Sequence, residues 1–386
     1  MAPSPRMGLA IIGCGQIVTH HLEAITATRA FEVRALCDPS VERRQVINHV
    51  LSGNQEGTVA QFDTLDALVE QDAVLATIDV IFIAVPHDLH EALAMRAVAT
   101  GKVVVLEKPL APTLAACERL ERLSKETGRL IVAEQSPYWE EVVLAKDLIQ
   151  RQNAIGTVVS AAAYYYESMR DNVTSGSVDA AGGLGWRGSL ARAGGGIALD
   201  GGLHWIRPLA EMCGPITKVV GVVRRDLAPQ LKMEGESLGH ALLEIAPKPL
   251  SQPDGAGPLI ATYSCNMLAT APMAHDTCPY FRVTGDKGEI VIHGDGLFKD
   301  KPGAGGLRLY NEKHPVGQEL FPPDRKGGFF LGFRGLWNRI HDICIKGDAV
   351  AAHETVIKAA NDVRVVLALY KSSNTGMWEL IHEGSG

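Results

Sequence analysis

The first third of the chain carries short runs rich in apolar and β-branched residues: Leu9 to Ile12, Phe31 to Cys37, Val80 to Val85, Lys102 to Leu106 and Leu130 to Ala133. Helical patterns lie between them, at Val18 to Thr28, at Leu89 to Thr100 before Gly101, and at Leu114 to Thr127 before Gly128. Runs of this kind read as strands buried on both faces, and their alternation with helices is the pattern of βαβ units. The expected fold class is α/β, with a doubly wound parallel sheet at the N-terminal end.

One of these strands ends on Glu107-Lys108-Pro109. In open α/β sheets, ligands sit outside the carboxyl ends of the strands. A lysine there is aimed at a ligand from a rigid support, and the proline cannot continue the ladder. The plain alternative is a solvated strand end.

Gly13-Cys14-Gly15-Gln16-Ile17-Val18 follows the first strand and opens a helix. Gly13 and Gly15 permit a tight turn and close approach to a pyrophosphate, which Gln16 and Ile17 at the helix start then meet. Val18 stands where the strict fingerprint has a third glycine. Asp38 ends the second strand, where a carboxylate takes the ribose hydroxyls of NAD. It also heads Asp38-Pro39-Ser40, a turn that can cap the next helix. An acid there favours NAD, while the nearby Arg43 and Arg44 leave NADP open.

After Pro137 the pattern changes. Trp139 to Gln152 reads as a helix, and strand-like stretches follow at Val158 to Tyr166, Ile216 to Val223, Ala241 to Ile245, Leu259 to Cys265, Tyr280 to Thr284 and Glu289 to His293. Turn signals such as Pro253-Asp254-Gly255 and Gly285-Asp286-Lys287-Gly288 separate them, which implies a large, mostly antiparallel sheet. The expected division is a nucleotide-binding domain over 1–136 and a substrate and oligomerisation domain over 137–386. A last helix near 354–370 could pack back on the first domain.

Composition narrows the class. A chain of 386 residues, 46% hydrophobic and 21% charged with net charge −7, suits an ordinary soluble globular protein and offers no basic patch for nucleic acid. No apolar stretch reaches a membrane span, and Met1 to Met7 lacks the apolar core of a signal peptide. The cysteines (14, 37, 117, 213, 265, 278 and 344) are scattered and form no Cys-x-x-Cys. That suits a reducing, cytoplasmic setting and no structural zinc.

Gly182 to Gly202 holds nine glycines in 21 residues and is punctuated or flanked by Trp186, Arg187, Asp200 and His204. If a helix begins at Asp200, the spacing to His204 puts both side chains on one face, with Asp200 as N-cap or as support for the imidazole. Histidine titrates near neutral pH and suits the proton transfer that accompanies hydride transfer at a carbinol carbon. A lysine, cationic unless desolvated, suits stabilising alkoxide character, the part given to Lys108. A locally satisfied helix histidine is the plain alternative for His204. Trp186 and Arg187 are candidates for substrate contact, as is Tyr165 in the run Tyr164-Tyr165-Tyr166, where neighbours point to opposite faces. His20 and His21 follow the glycine turn, where one could face substrate, and read as surface or packing residues. His275, Asp276 and Cys278 look like a metal cluster on paper, but Pro279 and the following strand favour a turn. His293-Gly294-Asp295 reads as another turn.

Together these motifs resemble the glucose–fructose oxidoreductase, inositol dehydrogenase and rhizopine-catabolism (Gfo/Idh/MocA) family. The resemblance runs nearly end to end: Gly13-x-Gly15, Ala84-Val85-Pro86-His87 with His90, Gly101-Lys102 leading to Glu107-Lys108-Pro109, Ile155-Gly156, Trp186-Arg187, Gly194-Gly195-Gly196, Asp200 with His204, and the final helix. It implies catalysis by Lys108, Asp200 and His204, and a Lys–Pro bond that is often cis. It also implies cofactor contacts through Pro86, His87, His90, Glu107 and Lys108, and a homodimer or homotetramer built on the C-terminal sheet. Two positions depart. His87 stands where an asparagine is usual; with His90 it has metal-like spacing but no third ligand, so no metal is expected. Arg207, followed by Pro208, stands where the family usually has an aspartate. It reads as a surface arginine or as a preference for an acidic or phosphate-bearing substrate.

The resulting expectation is an NAD(P)-dependent oxidoreductase acting on a secondary alcohol of a sugar, cyclitol or related polyol. A redox-neutral enzyme with retained cofactor and a non-catalytic nucleotide-sensing regulator are the alternatives.

Overall fold

The computed structural model describes residues 6–53, 59–168, 184–227, 232–246, 257–269, 279–293, 306–321 and 328–381. Gly182, Gly183, Pro253-Asp254-Gly255, His275, Asp276, Cys278 and Gly294-Asp295 lie outside the described residues. The chain divides into two compact units, Met1–Glu134 with Phe333–Ala360, and Gln135–Gly332 with Asn361–Gly386.

The first unit begins with β1 (Met7–Ile12), α1 (Ile17–Thr28), β2 (Phe31–Cys37), α2 (Val41–Ser52), β3 (Ala60–Phe62), α3 (Leu65–Val69) and α4 (Asp72–Leu75). It continues with β4 (Val80–Ile83), α5 (His90–Val98), β5 (Val103–Glu107), α6 (Leu114–Thr127) and β6 (Leu130–Ala133). Its six strands run in the order β3-β2-β1-β4-β5-β6, every pair parallel. The order reverses between β1 and β4, the point at which such sheets bind ligands beyond their carboxyl ends. Buried Val, Ile, Leu and Phe side chains fill β4 and most of β5, as their unbroken apolar runs demand. Thr113 caps α6 by accepting from Ala116 N–H, and Gly128 ends it in the left-handed conformation.

Several elements here carry little sequence signal. In α2 the apolar residues Val41, Val46 and Val50 are exposed while Arg44 is buried beside Ile47 and Leu51, which blurs the helical stripe. Ser40 nonetheless caps it, accepting from Arg43 N–H at 3.2 Å.

The second unit contains α7 (Glu140–Gln150), β7 (Val158–Ser168), α8 (Leu190–Ala193), α9 (Ile197–Asp200), α10 (Leu203–Cys213), β8 (Ile216–Arg224), β9 (Leu238–Ile245) and β10 (Leu259–Ala269). Then come β11 (Pro279–Gly285), β12 (Gly288–His293), β13 (Leu307–Asn311), β14 (His314–Glu319) and β15 (Glu379–Leu380); of the long helices, α11 (Gly328–Lys346) belongs to the first unit from Phe333 on, and α12 (Ala349–Thr375) belongs to the first unit up to Ala360 and to the second from Asn361. Nine strands form one sheet, ordered β14-β13-β12-β11-β7-β10-β9-β8-β15. Its pairs are antiparallel except β7 with β10. Helix α10 packs on β7 and on α7. The aromatic core there stacks Tyr165 on Trp205 at 4.1 Å between ring centroids, with Trp139 edge-on to Trp205 at 5.6 Å. Among the described residues, no helix is long and apolar enough to cross a membrane.

Arg207 corrects the reading of a surface residue. It is 5% exposed, and its guanidinium grips Asp362 of α12 with both ends, Nε to Oδ1 at 3.2 Å and Nη2 to Oδ2 at 2.5 Å. The preceding α10 residues form an apolar face, so an arginine at this position is driven inward and needs a buried counter-charge. Removing one partner of such a pair strands the other charge, whereas removing both does not. We expect Arg207→Ala to destabilise the protein by about 3–5 kcal/mol in chemical denaturation, and Arg207→Met with Asp362→Leu to cost much less.

Candidate functional site

The glycine loop sits where the parallel sheet reverses. Gly13 has φ +91° and donates to the Cys37 carbonyl at 2.7 Å; a Cβ there would lie 2.3 Å from the Ala84 carbonyl oxygen. Only glycine fits that backbone and that approach. Next to Gly15 there is open space, and α1 starts at Ile17 with Gln16 at its N-cap and no side-chain capping bond. An open glycine turn before an uncapped helix start fits a dinucleotide pyrophosphate.

Asp38 secures this loop from β2. Its Oδ2 accepts from Cys14 N–H and its Oδ1 from Ser40 N–H, each at 2.8 Å. Arg44 is buried and spends its Nη1 on the Asp38 and Phe62 carbonyls and on Asp63, whereas Arg43 is exposed. The thiols of Cys14 and Cys37 are both pushed up to about 12, chiefly by burial, so neither is a ready nucleophile.

Lys108 lies just past β5, half-buried, and the peptide to Pro109 is cis. Its neighbours are held on both sides. Glu107 Oε2 accepts from Lys108 N–H at 3.0 Å, and Glu107 Oε1 lies 2.6 Å from His21 Nε2. His90 Nδ1 lies 2.8 Å from the Pro109 carbonyl oxygen and Nε2 lies 3.1 Å from that of Val85. The expectation that His90 lines the cofactor side is corrected. Its ring is wholly enclosed, with 0% exposure, and sits between the carbonyls of the turn after β5 and the turn after β4, to one of which its single N–H donates when the ring is neutral. His87 is buried beside it, with ring centroids 5.6 Å apart, and Pro86 opens that turn as the N-cap of the His87–Leu89 segment.

In the second unit, Asp200 ends α9 rather than starting a helix, which corrects the N-cap reading. Gly201 and Gly202 keep right-handed helical dihedrals, so one helical turn separates Asp200 from His204 in α10. The glycine at 201 is needed for packing: a Cβ there would lie 2.4 Å from the Tyr165 ring. Pro208 withholds from the His204 carbonyl the N–H that a helix normally supplies. Arg187 Nε donates to Asp200 Oδ2 at 2.8 Å, and its guanidinium lies 4.5 Å from the Trp186 ring centroid, a cation–π contact. The His204 ring is tilted against Trp139, with centroids 6.5 Å apart. Tyr165 stacks on the helix side of the sheet, under Gly201, while Tyr164 and Tyr166 pair with each other at 6.2 Å.

Glu236 was invisible in the sequence. It is fully buried and accepts from Gly196 N–H and Ala198 N–H at 2.9 Å and from the Tyr370 hydroxyl at 2.8 Å. It thus holds the turn that leads into Asp200, and burial raises its carboxyl pKa. A lone acid ahead of a strand carries no periodic signal that could mark it.

Burial pushes the His90 imidazole pKa down, against the two carbonyls that favour its cation. A histidine so lowered stabilises the fold above the ordinary value of about 6.5, and that stability is lost as pH falls, because the unfolded chain binds the proton first. We expect the thermal midpoint to drop from about pH 7 to about pH 5 and His90→Gln to lessen the drop. His20 and His293, lowered by burial in the same way, contribute to what is left.

Comparison with known proteins identifies both domains. Residues 7–135 match the family model of the GFO/IDH/MocA oxidoreductases, NAD-binding Rossmann fold, and residues 142–291 match the GFO/IDH/MocA C-terminal domain. An inositol 2-dehydrogenase from Saccharopolyspora erythraea is 27% identical over 33% of this chain and 35% of its own length. A glycosyl hydrolase family 109 protein from Shewanella putrefaciens is 26% identical over 43% of this chain and 37% of its own. The chain therefore spans less than half the length of these curated relatives. The crystal structure of the WlbA dehydrogenase from Bordetella pertussis, in complex with NADH and UDP-GlcNAcA, has the same fold. It aligns over 98% of this chain and 99% of that one, with TM-score 0.72 and 18% identity. The chain belongs to the GFO/IDH/MocA oxidoreductase family and carries its NAD-binding Rossmann domain.

Proposed function

We propose that this protein is an NAD(P)-dependent dehydrogenase or reductase acting on a secondary alcohol or ketone of a sugar, cyclitol or related polyol. The observation that carries this reading is Lys108, set at the carboxyl end of a buried parallel strand in an NAD-binding domain and held on both sides. The nicotinamide, when bound, accepts or gives the hydride of the carbinol carbon. Gly13, Gly15, Gln16 and Ile17 bind the pyrophosphate, and Asp38 keeps the loop shaped to receive it. Lys108 donates to the substrate oxygen and stabilises its alkoxide character. His204 takes the hydroxyl proton on oxidation and returns it on reduction. Asp200 positions the site with Arg187, and Trp186 offers a ring face to a sugar.

Support for the substrate class comes from the family and from its inositol dehydrogenase relative. The glycosyl hydrolase relative favours a second reading, a redox-neutral reaction with retained cofactor. A spectrophotometric screen of sugars and cyclitols with NAD and NADP separates the two. Accumulating NADH supports the first, and product without NADH the second. We expect Lys108→Ala and His204→Ala to lower kcat about a hundred-fold or more while nucleotide binding persists. Near-normal turnover in either removes that residue from the chemistry.

A homo-oligomer formed through the nine-stranded sheet is part of the same proposal. Val222, Leu242 and Ile260 lie exposed on β8, β9 and β10, on the face opposite the helices. Sedimentation should show a dimer or tetramer, and Leu242→Asp should weaken it.

A further inference from the structure

Inside the first unit, a chain of hydrogen bonds runs from Trp337 to the backbone of Lys108. The Trp337 indole N–H donates to His21 Nδ1 at 2.9 Å, His21 Nε2 faces Glu107 Oε1 at 2.6 Å, and Lys108 N–H donates to Glu107 Oε2 at 3.0 Å. An indole nitrogen can only donate. His21 Nδ1 must therefore offer its lone pair, and the ring proton sits on Nε2, aimed at the carboxylate. A second proton on Nδ1 would set two N–H groups against each other at 2.9 Å. No water can intervene, since His21 and Trp337 are both fully buried and the rings of Phe82 and Phe333 pack on His21 at 4.6 and 4.8 Å.

We propose that Trp337 locks His21 in its neutral Nε2–H tautomer, and that the locked ring is a positioning residue for Lys108. It orients Glu107 against the Lys108 amide without bringing a positive charge to the pair. The contact between His21 and Glu107 is then a one-way hydrogen bond rather than an ion pair. Their titratable neighbours include His20, adjacent on α1, His90 of α5, which feels the Glu107 charge, and Lys108 itself. Strand β4 contributes Phe82 and α11 contributes Phe333 and Trp337, all uncharged. The catalytic consequence rests on the role of Lys108 proposed above; the tautomer does not.

Glutamine can copy the locked ring, with an amide N–H toward Glu107 and a carbonyl oxygen toward Trp337, but it cannot relay a proton. Leucine can do neither. We expect His21→Gln to keep kcat within about three-fold of the parent with the same pH profile, and His21→Leu to lose about ten-fold or more, with KM for nucleotide little changed. Neutron diffraction of the deuterated parent protein at near-neutral pH should place a deuteron on His21 Nε2 and none on Nδ1. A deuteron on Nδ1 overturns the lock. Loss of activity in His21→Gln as deep as in His21→Leu overturns the positioning role, and the parent's neutron map holds even if the leucine variant fails to fold. Full activity in Lys108→Ala alongside a deuteron on Nε2 alone would instead remove the Lys108 reading and leave the lock standing.

Discussion

The buried parallel strands impose one requirement on everything around them: where β5 leaves the apolar interior, its polar groups must find partners without water. Val104, Val105 and Leu106 admit no solvent, so the turn that follows draws its partners from side chains on other elements. His21 of α1 supplies one through Glu107, and His90 of α5 supplies another at the Pro109 carbonyl. The lysine between them has its backbone held through its own N–H on Glu107 and through the Pro109 carbonyl that follows. Rigid support of this kind is what a group that must meet a developing charge requires.

The second unit meets the same requirement by other means. The segment from Gly194 to His204 passes close over the sheet, and glycine at 201 lets the chain lie against the Tyr165 ring. Its amides are gathered by Glu236, a buried carboxylate steadied by Tyr370 of α12. A single carboxylate collecting two N–H groups and a hydroxyl resists rearrangement more than separate weak contacts do. Asp200 and His204 thus inherit their placement from residues outside the proposed catalytic set.

The parallel sheet was legible because burial on both faces leaves an unambiguous apolar run; Phe31–Cys37, Leu114–Thr127 and Leu130–Ala133 appear with the boundaries their patterns imply. In the second unit β7 to β12 were legible too, whereas β13, β14 and β15 were not. Of helix α2 only the start showed, at the turn before Val41, because its valines face outward. Helix α11 was hidden by Gly332 and Gly335, which lower helix propensity by about 1 kcal/mol each in a helix interior, and tertiary burial of Phe333, Leu336 and Trp337 offsets that. Lys108, Asp200 and His204 stand as candidates on their place in the sequence pattern and on the family resemblance, but the partners around them could not be read from either. His21, Glu236 and Asp362 are each distant in sequence from what they hold, and a single sequence contains no record of such pairings.

The grip of Arg207 on Asp362 reaches beyond stability. The two positions stand 155 residues apart, yet neither charge can be lost alone without stranding the other. Drift at these sites must pass through a disfavoured intermediate or through paired change. Descendants of this chain would then keep the pair together or lose it together, so that the two positions inherit as one character.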